Sequence, residues 1–251
     1  MDCLRCGDVE IKYTETGIES TVLWEKHCHS RFELIAVISG DVSVILEGAE
    51  YRVKAGECII IPPLSYHSVT INEGGVYRRV TALFPIDLVP EVLRPRLRSD
   101  AAVFYSSHPV RLSDIVKRQS HELYAPLAVS VMVEIFYDML EVKSDTARPD
   151  KDEFIRSTVL YIDEHLGESI TLDELARHTS RSKSSFCHLF EEKMKISPKQ
   201  YILRKKLATA RKMIAEGVPP TLAAVQVGYE SYSNFYRQYL KHYGTAPAIR
   251  K

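Results

Sequence analysis

Asn234 and Arg237 lie three residues apart in a stretch with helical periodicity, and both have side-chain shapes that fit base edges. A guanidinium reaches guanine and a primary amide reaches adenine, each through two hydrogen bonds. With successive residues 100° apart around a helix beginning at Ser231, Phe235 and Tyr239 face inward. Ser233, Asn234 and Arg237 then turn outward, with Tyr232 at the leading end. A second stretch repeats this design. Ser182 is a good N-cap, and Phe186, Leu189 and Phe190 fall on one side. Ser184, Cys187 and His188 point away near the helix N-terminus, where a DNA-reading helix meets base edges, and Lys183 is placed for a phosphate.

Each of these helices follows a short apolar helix and a three- or four-residue break, within residues 171–193 and 221–242. In the first, Thr171 and Glu174 have capping-box spacing, with Leu172, Leu175 and Ala176 on the inner face. The pattern predicts two helix-turn-helix motifs in an all-α region, because a plain helix bundle needs no such pair of breaks. Two readers on one chain would occupy successive major-groove faces about one helical turn, ~34 Å, apart.

The charge distribution agrees with a nucleic-acid partner for that half. The net charge is zero, but residues 151–251 carry 17 Lys plus Arg against 11 Asp plus Glu, whereas the first 150 residues carry 16 against 22. Cations near phosphates release condensed counterions and gain affinity from it. The five cysteines make no disulfide framework, and Cys3-x-x-Cys6 is at most half a zinc site, with no second pair at zinc spacing. No run approaches the roughly 18 apolar residues that cross a bilayer, and residues 1–12 lack a secretory signal. The expectation is a cytoplasmic protein with no membrane partner.

These residues must be positioned by two different textures of chain. From Ile18 to about Phe84, short runs rich in Val, Ile, Tyr and Leu alternate with turn residues at Asp41, Gly48, Gly56 and Gly74 to Gly75, which predicts a sandwich or small barrel. After Val110, Leu112, Ile115, Val116, Leu127, Val131, Ile135, Met139 and Leu140 recur at helical steps. The polar stretch 141–151, with Pro149, reads as a linker, and the domains are set at 1–148 and 149–251. The fold class is multidomain β + α.

The last hundred residues resemble the AraC-type family of bacterial regulators. The carriers are ITLDELA (170–176), SSFCHLF (184–190), SPKQYI followed by KLATARKMI (197–214), and VGYESYSNFYRQYLKHYGTAP (227–247). The resemblance implies two helix-turn-helix units joined by a long helix, double-stranded DNA as partner, contacts with RNA polymerase, and activation as the family tendency. Lys195 departs from the pattern, standing where glycine usually ends the first recognition helix; Pro220 and Ala223 replace larger aliphatic residues.

KHCHSRFELIAVISG (26–40) and GECIIIPPLSYH (56–67) resemble the two motifs of the cupin barrel. That resemblance implies a metal-ligand set of His27, His29, Glu33 and His67, suited to a divalent transition metal. Without metal, the same interior would take a small organic effector among Phe32, Tyr51 and Tyr66. The helices within 113–142 then become the dimerisation surface, giving a homodimer. The resulting expectation is a ligand- or metal-controlled, non-enzymatic transcription regulator. The alternative is a metal-dependent cupin enzyme, a dioxygenase or isomerase.

Overall fold

A computed structural model of the chain describes residues 2–18, 28–72, 75–99, 102–118, 123–141 and 152–249. Two compact units are present, with main bodies at Arg31–Asp150, joined by residues 1–26, and at Lys151–Lys251, joined by residues 27–30. The expected linker lies almost wholly outside the described residues, as do His27 and Gly74.

The first unit is built on nine antiparallel strands among the described residues: β1 (Asp2–Cys6), β2 (Val9–Ile18), β3 (Phe32–Ser39), β4 (Asp41–Leu46), β5 (Ala49–Lys54), β6 (Glu57–Ile61), β7 (His67–Ile71), β8 (Gly75–Phe84) and β9 (Ala102–Tyr105). They form a six-stranded sheet, ordered β1-β2-β8-β3-β6-β9, and a three-stranded sheet, β5-β4-β7. Alternation along the strands divides the side chains. Ile35, Val37, Ile59, Ile61 and Tyr77 pack with Val42, Val44, Tyr51, Val53, Val69 and Ile71 in one core cluster that draws on both sheets. Leu34, Ala36, Ile60, Val80, Ala82 and Phe84 take the other face of the larger sheet.

That other face is covered by helices. After the short α1 (Arg94–Ser99), α2 (Pro109–Arg118) buries Leu112, Ile115 and Val116, and α3 (Tyr124–Glu141) buries Ala128, Val131, Met132, Ile135, Phe136 and Met139. Phe32 stacks on Phe84 at 5.8 Å, and Phe84 meets Phe136 at 5.3 Å. Residues 32–37 of β3 are all buried because both of its faces are covered, which is why this strand reads as an apolar run interrupted by Glu33.

The second unit contains α4 (Glu153–Glu164), α5 (Leu172–His178), α6 (Lys183–Met194), α7 (Pro198–Ala215), α8 (Pro220–Gln226) and α9 (Tyr232–Tyr243). Its breaks follow from local chemistry. Thr171 and Glu174 form a reciprocal capping box at α5, and Ser182 and Ser197 accept hydrogen bonds from Ser185 N and Gln200 N to start α6 and α7. Both long second helices stop in the left-handed conformation, α9 at Gly244 (φ 68) and α6 at Lys195 (φ 51). The glycine missing from the family pattern is thus missing at a position that favours glycine.

Aromatic ladders lock the helices of each motif. Phe154, Phe186, Phe190 and Tyr201 follow one another at ring separations of 5.7, 5.9 and 5.5 Å. Tyr229, Phe235, Tyr239 and Tyr243 do so at 5.3, 5.4 and 4.7 Å. Ala223, small where the family pattern is larger, is fully buried with Ala224 in the cluster that holds α8 to Leu207, Ala210 and Ile214 of α7.

Candidate nucleic-acid interface and barrel interior

The helix-turn-helix pairs are α5 with α6 and α8 with α9. Their turns correspond closely. Ser180 (φ 54) and Gly228 (φ 76) are the left-handed residues. Arg181 N donates to Ala176 O at 2.8 Å, and Tyr229 N donates to Ala224 O at 3.0 Å. In α6, Phe186 and Phe190 are buried, Ser184 and His188 are exposed, and Cys187 and Leu189 are half-buried. In α9, Phe235 and Tyr239 are buried, Tyr232, Ser233 and Arg237 are exposed, and Asn234 is half-buried.

Several of these polar groups are held in place by neighbours. Lys183 Nζ donates to Asp173 Oδ2 of α5 at 2.9 Å, so reaching a phosphate means exchanging an exposed ion pair of small net worth. Asn234 Oδ1 accepts from Arg237 Nη2 and from Gln238 Nε2, both at 3.1 Å. Gln238 Oε1 in turn accepts from the Tyr229 hydroxyl at 2.8 Å. Burial pushes the Tyr229 phenol up to about 12, which keeps it a donor at neutral pH. Bidentate contact of Asn234 with adenine therefore requires its carbonyl oxygen to be released from two donors. Sequence reasoning missed Tyr229 and Gln238, because a helical wheel shows neither the turn nor side-chain bonding along the helix.

In the barrel, Glu33 lies on the same face of β3 as Ile35 and Val37. His67 Nδ1 donates to Ser65 O at 3.0 Å, leaving Nε2 2.9 Å from Glu33 Oε2 with a proton between them. Burial disfavours the imidazolium, but hydrogen bonding to Glu33, its charge, the Ser65 carbonyl and the more distant Glu47 outweigh that and raise the His67 pKa. Glu33 and His67 supply a carboxylate and an imidazole, donor types that fit a divalent transition metal, and a metal there would have to displace the proton they share; His29 is grouped with the second unit.

Tyr51 belongs to the same core cluster as Ile35 and Val37, and Tyr66 is buried with its backbone N–H donating to Glu47 Oε1 at 2.8 Å. Phe32 is placed differently from the sequence expectation. Adjacent to Glu33 on a strand, it must face the other way, and it packs with Phe84 beneath the helices. Cys3 and Cys6 also part company: three residues apart in β1, they point to opposite faces, which removes the half-site reading.

A sheet-rich cupin-like unit followed by paired helix-turn-helix motifs defines the class of two-domain helix-turn-helix regulators. Comparison with known proteins agrees. The helix-turn-helix domain family matches residues 175–249 and the cupin domain family residues 18–83. LumQ of Photobacterium leiognathi, named as a probable transcriptional regulator, is 38% identical over 88 residues. That match covers 35% of this chain and about a third (36%) of LumQ's length. The HTH-type transcriptional regulator YbfI of Bacillus subtilis (strain 168) is 21% identical over 221 residues, 83% of this chain and 80% of that protein. The crystal structure of ToxT from Vibrio cholerae aligns over 96% of each chain, with 12% identity and a TM-score of 0.44. The chain combines a cupin domain with a helix-turn-helix domain, and a relative that matches it over most of its length is an HTH-type transcriptional regulator. Among the described residues, no helix is long and apolar enough to cross a membrane.

Proposed function

We propose that this protein binds specific double-stranded DNA through α6 and α9, and that occupancy of the cupin barrel by a small ligand controls that binding. One observation carries the DNA reading: in both motifs the second helix buries its aromatic side and leaves polar side chains exposed over its first two turns. Arg237, Ser233 and Tyr232, with Asn234 once released, are the base readers of one helix; Ser184, Cys187 and His188 are those of the other. Lys183 contacts phosphate. Such work is done in the cytoplasm and requires no catalysis.

The effector sits among Glu33, His67, Tyr51 and Tyr66, where a buried charged pair offers orientation within an otherwise apolar interior. Two chains pair through α3, which exposes Leu127, Tyr137 and Leu140. The effector shifts the geometry of the pair by favouring one arrangement by a few kcal/mol, and RNA polymerase contact follows on the promoter. The Glu33 and His67 donors favour a second reading, in which the signal is a divalent metal ion and the DNA function is the same. Binding to genomic promoter fragments, with and without candidate effectors, tests the proposal. Retention of particular fragments supports it, and failure to bind any fragment at low salt sinks it.

A further inference from the structure

The described second unit contains an open cleft of about 400 Å³ on the flank of α9, lined also by α7 and by the chain around the second turn. Lys206 of α7 lines it and is only 9% exposed. Its Nζ donates to Glu168 O at 2.8 Å and, weakly, to Gly228 O at 3.5 Å. Among the described residues no carboxylate pairs with this ammonium, and Glu168 O and Gly228 O are its acceptors there. A buried cation held only by carbonyl dipoles is incompletely compensated, and burial accordingly lowers its pKa.

The rest of the lining repeats the sign. Lys199, exposed at the start of α7, lines the same cleft, against the single carboxylate of Glu230. Ile202 and Leu203 of α7 and Asn234 of α9 also line it. A concave volume in the range of small-ligand pockets, with two cations beside the apolar side chains of Ile170, Ile202 and Leu203 in its lining, suits an anion with a short hydrocarbon body.

We propose that this cleft binds a small organic carboxylate, its carboxylate on Lys206 and Lys199 and its apolar part on Ile202 and Leu203. The site is separate from the barrel. An occupant would lie beside Asn234, so its binding would bear on how the second reader meets DNA.

The test is thermal unfolding of the full chain with hexanoate, hexanol or inorganic phosphate at millimolar concentration. Hexanoate at about five times its Kd raises Tm by ~2–4 °C, while hexanol and phosphate leave it unchanged. Lys206→Met removes the shift. Lys199→Gln, at an exposed position that leaves folding intact, reduces it. Glu33→Gln, in the barrel, leaves it in place. The proposal is overturned if hexanoate gives no shift, if the shift survives both lysine variants, or if it disappears only in Glu33→Gln. It is equally overturned if phosphate gives the same lysine-dependent shift, since the apolar lining then selects nothing.

Discussion

Gly228 approaches Gly167 so closely that a Cβ on Gly228 would lie 2.7 Å from the Gly167 carbonyl oxygen. The same Cβ would be 2.7 Å from Lys206 Nζ and 2.9 Å from Glu168 O, and one on Gly167 would be 2.9 Å from Gln226 O. The turn of the second motif is thus pressed against the chain leading into the first, with Lys206 bonded to both sides. If both motifs are to engage one duplex their spacing has to be fixed, and backbone contact without intervening side chains fixes it tightly.

Gly228→Ala should therefore be costly on two counts, a left-handed backbone at φ 76 and a clash with backbone oxygens that cannot swing aside. The expected loss is about 1–3 kcal/mol, read from urea unfolding. A variant as stable as the parent would show that the two segments are not in contact.

Lys195→Gly should do the opposite. Lysine at φ 51 bears the left-handed penalty that glycine avoids, partly offset by glycine's greater freedom in the unfolded chain. The gain is expected to be about 0.5–1 kcal/mol in chemical denaturation. Destabilisation instead would mean that the Lys195 side chain contributes more than its backbone conformation costs.

Asp41 provides the pH dependence. Arg52 Nε donates to both carboxylate oxygens at 2.9 Å, and Asn72 Nδ2 donates to Oδ1 at 2.8 Å. Hydrogen bonding from Arg52, then from Asn72, holds the carboxyl below its ordinary range despite desolvation. A depressed folded-state pKa stabilises the fold above the unfolded value near 3.9 and loses that contribution as pH falls through the folded value. Asp41→Asn should be less stable than the parent at neutral pH, with the gap closing below about pH 4. A gap constant down to pH 2 would contradict the ion-pair account.

Much of this was written in the sequence at short range. The runs that became β3 to β8 announced themselves by β-branched residues between turns, and the caps Thr171 and Ser182 by residue type and spacing, whereas Ser231 starts α9 without a side-chain capping bond. The hairpin of β1 and β2 was missed because β2, VEIKYTETGI, places charges on alternate positions and dilutes its buried Val9, Ile11 and Tyr13. Strand β9 is only four residues long, at the sheet edge. The 100° wheel turned Asn234 outward correctly to within one flank, but its half-burial depends on Gln238 and Tyr229, and the Lys183 to Asp173 pair depends on how α5 and α6 cross. Long-range partners of this kind leave no periodic trace.

The most direct test of the central claim is equilibrium binding of the parent, Arg237→Ala and Lys183→Ala to a selected promoter fragment and to its single-base variants, across a salt series. Arg237→Ala should lose ~1–3 kcal/mol of specific binding and relax the preference at one base pair. Lys183→Ala should weaken all sequences alike and lower the salt slope by about one. Equal, sequence-blind losses for both variants, or no loss for either, would contradict the claim that the exposed flanks of α6 and α9 read DNA.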